Sequence, residues 1–351
     1  MKALRAQRLH NQHLAAPRLT PAEVVAAFGA VQAQEYAFAK WAIGLRAPGT
    51  TEADIEAALA SGAILRTHPM RLTHHFVTPA DIRWLLALLA PRMITRHTPR
   101  WRELGLDDRT LGKAQAAIAR ALEGGTHLTR AELTTVLSRA GISPEGQRTP
   151  HILARAELAA LVCSGPRRGN QITFALVDER VPKARSLTRE ASLAELARRY
   201  FTTRGPATLQ DFMWWSGLTA ADAREAVALA DRDVIADPYG RATYYRGAQA
   251  APGKLPALAH LLPTYDEYMV AYRDRATIGT PPAKPHGVGE STLLGPSIVV
   301  AGEIVGSWSR SIVKQRLAIE LHPWRTLTPR EQAAVERAAD RYAAFVGVLP
   351  A

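Results

Sequence analysis

Residues 193–245 read LAELARRYFTTRGPATLQDFMWWSGLTAADAREAVALADRDVIADPYGRATYY, and this stretch decides the fold. Leu193–Phe201 predicts a helix, and Gly205-Pro206-Ala207-Thr208 breaks it with a capping threonine. Leu209–Trp215 predicts a second short helix and Ser216-Gly217-Leu218 a turn. Thr219 then caps a third helix, Ala220–Ala230, with Leu218, Ala221, Ala226 and Leu229 as packing positions. Helix, Ser-Gly-Leu turn, helix is the pattern of a helix-turn-helix. Val234-Ile235-Ala236 and Ala242–Tyr245 flank Asp237-Pro238-Tyr239-Gly240, which predicts a β-hairpin. Three helices and a hairpin make a winged helix. Trp214-Trp215 inside the unit is expected as core rather than as a base-stacking platform.

The same order recurs upstream. Thr110–Leu122 predicts a helix ended by Gly124-Gly125. Thr129 starts a second over Arg130–Ala140, and a third spans Thr149–Val162. Leu161-Val162-Cys163 and Gln171–Val177 predict a hairpin around Gly165–Asn170, with Arg167 and Arg168 at its tip suited to a phosphate. The first stretch is looser: helices over Leu4–Leu14, Pro21–Phe28, Glu35–Leu45 and Glu52–Leu59, a strand pair over Ile64–Thr78, and a long helix over Ala80–His97. Beyond Leu255 the pattern changes to β-like runs, Ser297–Val305 and Ile312–Leu321, a closing helix Pro329–Phe345, and a long loop over Gly279–Leu293. The expected fold is α+β and mainly helical. Winged-helix units fall at residues 1–98, 99–185 and 186–252, and a β-rich C-terminal domain at 253–351.

Composition narrows the function. The 351 residues carry 44 Lys+Arg against 32 Asp+Glu, a net charge of +12, and 37 of the 44 cations are arginine. Arginine is the better bidentate phosphate ligand, so the excess fits a polyanion such as nucleic acid. Part of it also fits the codon bias of a GC-rich genome. One cysteine, Cys163, excludes an internal disulfide and a cysteine zinc cluster. The opening residues lack an apolar signal core, and the best apolar run, Ile82–Ile94, carries Arg83, Pro91 and Arg92. A cytoplasmic, nucleoid-associated protein without membrane contact is expected. Phosphate-loop, dinucleotide-fold, serine-hydrolase and zinc-protease signatures do not occur.

Gln32 and Gln34 stand between two helices, in Gly29-Ala30-Val31-Gln32-Ala33-Gln34-Glu35. Residues two apart point the same way only in extended backbone, so the amides share one site if the segment is not helical. Otherwise they cap neighbouring backbone groups. Met70 and Arg71 at the tip of the first hairpin could enter a DNA groove as wedge and cation, or serve as core and ion-pair partner. His68, His74 and His75 cluster in that hairpin. At most His68 and His74 share a face, and uncharged donors beside DNA are expected there rather than a metal. Thr73, His74 and His75 are accordingly DNA-contact candidates.

These motifs together resemble the AlkZ-like (AlkZ/YcaQ) winged-helix DNA glycosylase family over nearly the whole chain. The resemblance rests on Val31-Gln32-Ala33-Gln34, on Leu65–Val77, on Leu261–Tyr268 with Tyr272-Arg273-Asp274-Arg275, and on Val305-Gly306-Ser307-Trp308. It implies a Gln-x-Gln catalytic pair at Gln32 and Gln34 and excision of alkylated purines of the N7-alkylguanine class. Bulky adducts or interstrand crosslinks could be included, as could self-resistance to a DNA-alkylating natural product. It suggests DNA-backbone contact by Arg273 and Arg275, although an internal Asp–Arg network is equally open. The chain departs from the family where His68 and Leu72 stand in place of Trp and Gly. A monomeric, monofunctional, metal-free enzyme without cofactor, acting on double-stranded DNA, is expected. A winged-helix regulator without catalysis is the alternative.

Overall fold

The computed structural model describes residues 2–181, 186–239, 242–249, 258–279, 294–314, 316–347 and 349–350. The chain packs as two compact units, Met1–Ile55 with Leu193–Ala351, and Glu56–Ser192.

In the first unit the 193–245 stretch folds in the expected order. Helix Arg189–Arg204 leads to the two-residue strand Ala207–Thr208, helices Leu209–Ser216 and Ala220–Leu229, and the hairpin Val234–Tyr239 with Ala242–Gly247. Thr208 closes a capping box with Asp211, and the Thr219 side chain accepts from the Asp222 N–H, so both helices start where a hydroxyl satisfies their first donors. Gly217, at φ 77°, makes the left-handed turn between them. The strand Ala207–Thr208 was not expected. It pairs with Tyr245 and Tyr244 of the hairpin and converts it into a three-stranded sheet. Tyr200, Phe201, Phe212 and Trp215 form the aromatic core of this stretch, each with no exposed surface. Of the expected packing positions, Leu218 and Ala226 are buried, whereas Ala221 and Leu229 face solvent and Ala223 takes the inner face. Trp214 also departs from expectation. It is 45% exposed because Trp215, one residue on, owns the inward direction of the helix.

The C-terminal part of this unit is a five-stranded sheet in which Ala259–Leu262, Ser297–Val300, Glu303–Val313 and Arg316–Pro323 are antiparallel neighbours and Leu349–Pro350 adds a parallel edge. The expected run Ile312–Leu321 is therefore two strands, broken at Lys314, whose φ is 49°. Helix Pro329–Val346 packs on the sheet, where Tyr342 and Phe345 meet Trp41 at ring distances of 5.1 and 5.0 Å. Most of the loop expected at 279–293 lies outside the described residues.

The second unit holds the hairpin Leu65–Met70 with Thr73–Val77, and helix Ile82–Glu103, which runs past the expected end at His97 and through Pro99. Buried Trp101 holds its last turn against the core. Helix Asp108–Leu122, strand Leu128–Thr129, helices Arg130–Arg139 and Arg148–Leu158, and strands Val162–Ser164 and Thr173–Leu176 repeat the order of the first unit, again with the short strand pairing onto the last. The third helix stops at Leu158, short of the expected Val162, because Ala160 turns left-handed at φ 53° and Val162 enters the sheet. No described helix is long and apolar enough to cross a membrane.

Candidate active site: the glutamine loop

Helix Pro21–Phe28 ends at Gly29, whose φ of 71° turns the chain out of the helix. Val31–Gln32 is extended and the next helix begins only at Tyr36. The segment is therefore non-helical, the condition under which two glutamines spaced by two can serve one site.

Buried charge holds the loop in place. The Gln32 N–H donates to Oε1 of Glu267 at 2.9 Å. Oε2 of the same carboxylate accepts from Nε of Arg204 at 2.8 Å and from the Trp215 indole at 3.2 Å. Arg204 in turn donates to the carbonyls of Phe28 at 3.0 Å and Ala30 at 2.8 Å, and its guanidinium lies 4.2 Å from the centroid of the Trp215 ring. Arg204 and Glu267 are 0% and 1% exposed, so the pair survives burial because every polar atom in it is answered. One residue earlier, Asp266 takes both oxygens to Arg46 at 2.8 Å, and Arg46 also reaches the Gln12 carbonyl and amide oxygen at 3.0 Å. The Pro-Thr-Tyr-Asp-Glu-Tyr motif is thus the anchor of the glutamine loop. Sequence reading quoted Asp266 and Glu267 only as part of a resemblance. Two adjacent acids ahead of a buried aromatic run, in a chain with many arginines, were the available signal.

The two glutamines differ. Gln32 is buried, and its amide oxygen accepts from the Gln34 N–H at 2.9 Å. Gln34 is exposed. Gln32 has the capping contact foreseen as the structural alternative, and that contact fixes the turn from which Gln34 projects. Lys40, the nearest lysine, is buried and paired with Glu52 at 2.6 Å, so it is not presented as a nucleophilic amine.

The other candidates are scattered. Met70 has no exposed surface, which corrects its reading as a wedge: the side chain is core, and the tip consists of Arg71 and Leu72, at φ 54° and 53°. Thr73 is half-buried, and its carbonyl meets Nδ1 of fully buried His75 at 2.9 Å. His75 is therefore not presented to DNA. His74 does share a face with His68, their ring centroids 3.7 Å apart, and burial, then the charges of His68, Arg66 and His75, push its pKa far down. Arg167 and Arg168 each face a carboxylate, Glu56 and Glu132, both at 2.6 Å. Arg273 is exposed and reaches Gln210 Oε1 at 2.6 Å, while Arg275 donates to the Met269 carbonyl at 3.0 Å and lies over Trp214. Asp274 accepts from the Ala276 N–H. Sequence reading missed a cleft of about 580 Å³ in the first unit whose lining includes His10, Arg18, Arg198 and Arg232, because its cations come from distant parts of the chain.

Residues 25–345 match the family model described as DNA glycosylase AlkZ-like. The chain belongs to the AlkZ-like DNA glycosylase family. A curated relative, the interstrand DNA cross-link repair glycosylase of Streptomyces sahachiroi, is 26% identical, with 98% of this chain and 95% of that protein covered. The solved structure of Streptomyces sahachiroi DNA glycosylase AlkZ superposes with a TM-score of 0.78 at 24% identity, over 99% of this chain and 98% of that one. The mixed helix-and-sheet fold is therefore the AlkZ fold, and membership of this family makes the chain a DNA glycosylase.

Proposed function

We propose that the chain hydrolyses the N-glycosidic bond of an alkylated purine in duplex DNA, with Gln34 and Gln32 at the reacting centre. The observation that carries this reading is the exposed Gln34 on a non-helical loop that buried ion pairs hold rigid. N7 alkylation leaves a positive charge on the guanine ring, so the base departs without further protonation and no strong acid is required. Cleavage develops positive charge at the sugar, as in other glycosyl transfers. Gln34 offers a carbonyl oxygen that can orient the attacking water and face that charge, without a carboxylate's repulsion from phosphate. Gln32 fixes the turn. The buried, paired Lys40 supports a monofunctional reaction, since a lyase needs an amine nucleophile.

The repeated order of helix, short strand, two helices and hairpin supports winged-helix units, which we place at 1–98, 99–185 and 186–252 before the β-rich 253–351. Such units wrap one duplex without a second copy, so the working state is a monomer. The similarity to a crosslink-repair glycosylase supports bulky N7 adducts and crosslinks as substrates, in a host that faces a DNA-alkylating natural product. Arg71, Arg273 and Arg275, with the arginines of the cleft, are the proposed phosphate contacts.

The test is a single-turnover assay on duplex DNA carrying N7-methylguanine, with abasic sites revealed by alkali. Base release that depends on protein, persists in EDTA and leaves no borohydride-trapped adduct is the expected result. Binding to DNA without release overturns the reading.

A further inference from the structure

A second constellation lies in the Glu56–Ser192 unit. The hairpin strands Leu65–Met70 and Thr73–Val77 and the helix Arg148–Leu158 bring His68, His74 and Glu157 together. His68 Nδ1 is 2.6 Å from Glu157 Oε2, and His74 Nε2 is 4.0 Å from the same oxygen. One donor atom of each residue lies within 4.8 Å of the other two. Glu157 is 2% exposed and His68 9%.

We propose that His68, His74 and Glu157 form a binding site for a divalent transition-metal ion of the zinc type, which clamps the hairpin to the helix Arg148–Leu158. Two imidazoles and one carboxylate are the donor set such an ion takes, with bonds of about 2.0–2.2 Å and one position left for water. A tetrahedral ion at those lengths spaces its donors roughly 3.3 Å apart. The 2.6 Å pair has to open and the 4.0 Å pair to close, each by less than about 1 Å, within reach of small side-chain rotations. A plain His68–Glu157 hydrogen bond engages one imidazole, whereas Nε2 of the second also stands 4.0 Å from the same carboxylate oxygen. The ion accounts for both, and it compensates a buried carboxylate. Arg66 stands close enough to act on His74, and its charge opposes a cation, so the affinity falls below that of an all-anionic site. The glutamines are not among the donors, so the ion would act on the hairpin and not on the bond-breaking step.

The test uses the full-length chain without an affinity tag, stripped of metal, and zinc or cobalt(II) alone as probe. One equivalent is expected to bind. Zinc at about 100 times its Kd should shift the folding equilibrium about 100-fold toward the folded state. Cobalt(II) should give the intense visible absorption of a four-coordinate ion. His74→Ala and Glu157→Gln should each abolish both signals. Because Glu157→Gln could unfold the chain, X-ray absorption of the zinc-loaded wild type provides a second measurement: a nitrogen and oxygen shell with two imidazoles is expected. A weak six-coordinate cobalt spectrum, no stabilisation by saturating zinc, or undiminished binding to the His68→Ala/His74→Ala double variant would overturn the proposal.

Discussion

The glutamine loop and the first hairpin are both short extended segments bearing polar residues, yet they are held in opposite ways. The loop is fixed from below by Glu267, Arg204, Asp266 and Arg46, all essentially without exposed surface and each hydrogen-bonded. The hairpin turns through two non-glycine residues in left-handed backbone and gathers histidines around one carboxylate. The role proposed for the loop, orienting a water against developing charge, gains from rigidity, because preorganised groups need no rearrangement at the moment of reaction.

The largest expected effect follows from cutting the anchor. Glu267→Ala removes one partner of a buried pair and leaves Arg204 uncompensated. A loss of about 3–5 kcal/mol in unfolding free energy is expected, together with loss of excision in what remains folded. Arg204→Met removes the other partner and should cost a similar amount. The double variant, with the charges removed together, should recover part of it. Denaturant melts of the three proteins measure this, and a double variant that costs the sum of the two singles would show that the groups do not act as a pair.

Gln34→Ala comes next. A fall in single-turnover excision of roughly tenfold to a thousandfold is expected, about 1.4–4 kcal/mol, with DNA affinity almost unchanged. Gln32→Ala loses the oxygen that holds the Gln34 N–H, so it should lower both stability, by about 1 kcal/mol, and the rate. Equal excision by folded Gln34→Ala and wild type would remove the catalytic role from this loop.

What could be read in advance follows from where each signal resides. The helices of the 193–245 stretch were legible because caps and turns are local: Thr208, Thr219 and Gly217 act within four residues of themselves. The short strands Ala207–Thr208 and Leu128–Thr129 were not, since two residues carry no period and the pairing partner lies tens of positions away. The same holds for the site. The extended setting of Gln32 and Gln34 could be argued from Gly29, but the pairing of Glu267 with Gln32 joins positions 235 apart in sequence. Met70 was misplaced because a hairpin tip shows alternation, not which face is covered.

A smaller effect is read by pH. Glu195 is pushed up by burial and pulled down more strongly by Arg198 and Arg199, ending at about 2 instead of 4.5. Arg199 also donates to the Ala26 carbonyl, next to the start of the loop. A depressed folded-state pKa contributes stability that is complete above the unfolded value and disappears as pH falls through the folded one. The difference in melting temperature between wild type and Glu195→Gln should therefore be constant above pH 5.5 and shrink between about pH 4.5 and 2. A difference that survives unchanged at pH 2 would mean that the carboxylate charge is not the source.

The smallest expected effect tests the hairpin side of the contrast. Leu72 adopts φ 53° beside Arg71 at 54°, the geometry of a two-residue primed turn that glycine and asparagine enter without strain. A left-handed residue with a β-carbon costs roughly 1–2 kcal/mol. Replacing it by glycine removes that strain but raises the entropy lost on folding by about 0.4–1 kcal/mol. Leu72 is half-buried, so some apolar contact is lost as well. The two backbone terms balance at about 0–1.6 kcal/mol, and the lost contact reduces this, so Leu72→Gly should be neutral or stabilising by up to about 1 kcal/mol. Asparagine tolerates the same backbone without glycine's entropy, so Leu72→Asn should match or exceed it. Leu72→Val, with branching at the β-carbon, should be clearly destabilising. The order Asn and Gly above Leu above Val, read from melting midpoints, ties the effect to backbone strain. The order Leu above all three would mean that packing of the leucine against its surroundings, including Met93, whose sulfur lies 3.2 Å from the Leu72 N–H, outweighs the strain. The hairpin would then be as firmly set as the glutamine loop, and the contrast between the two regions would fail.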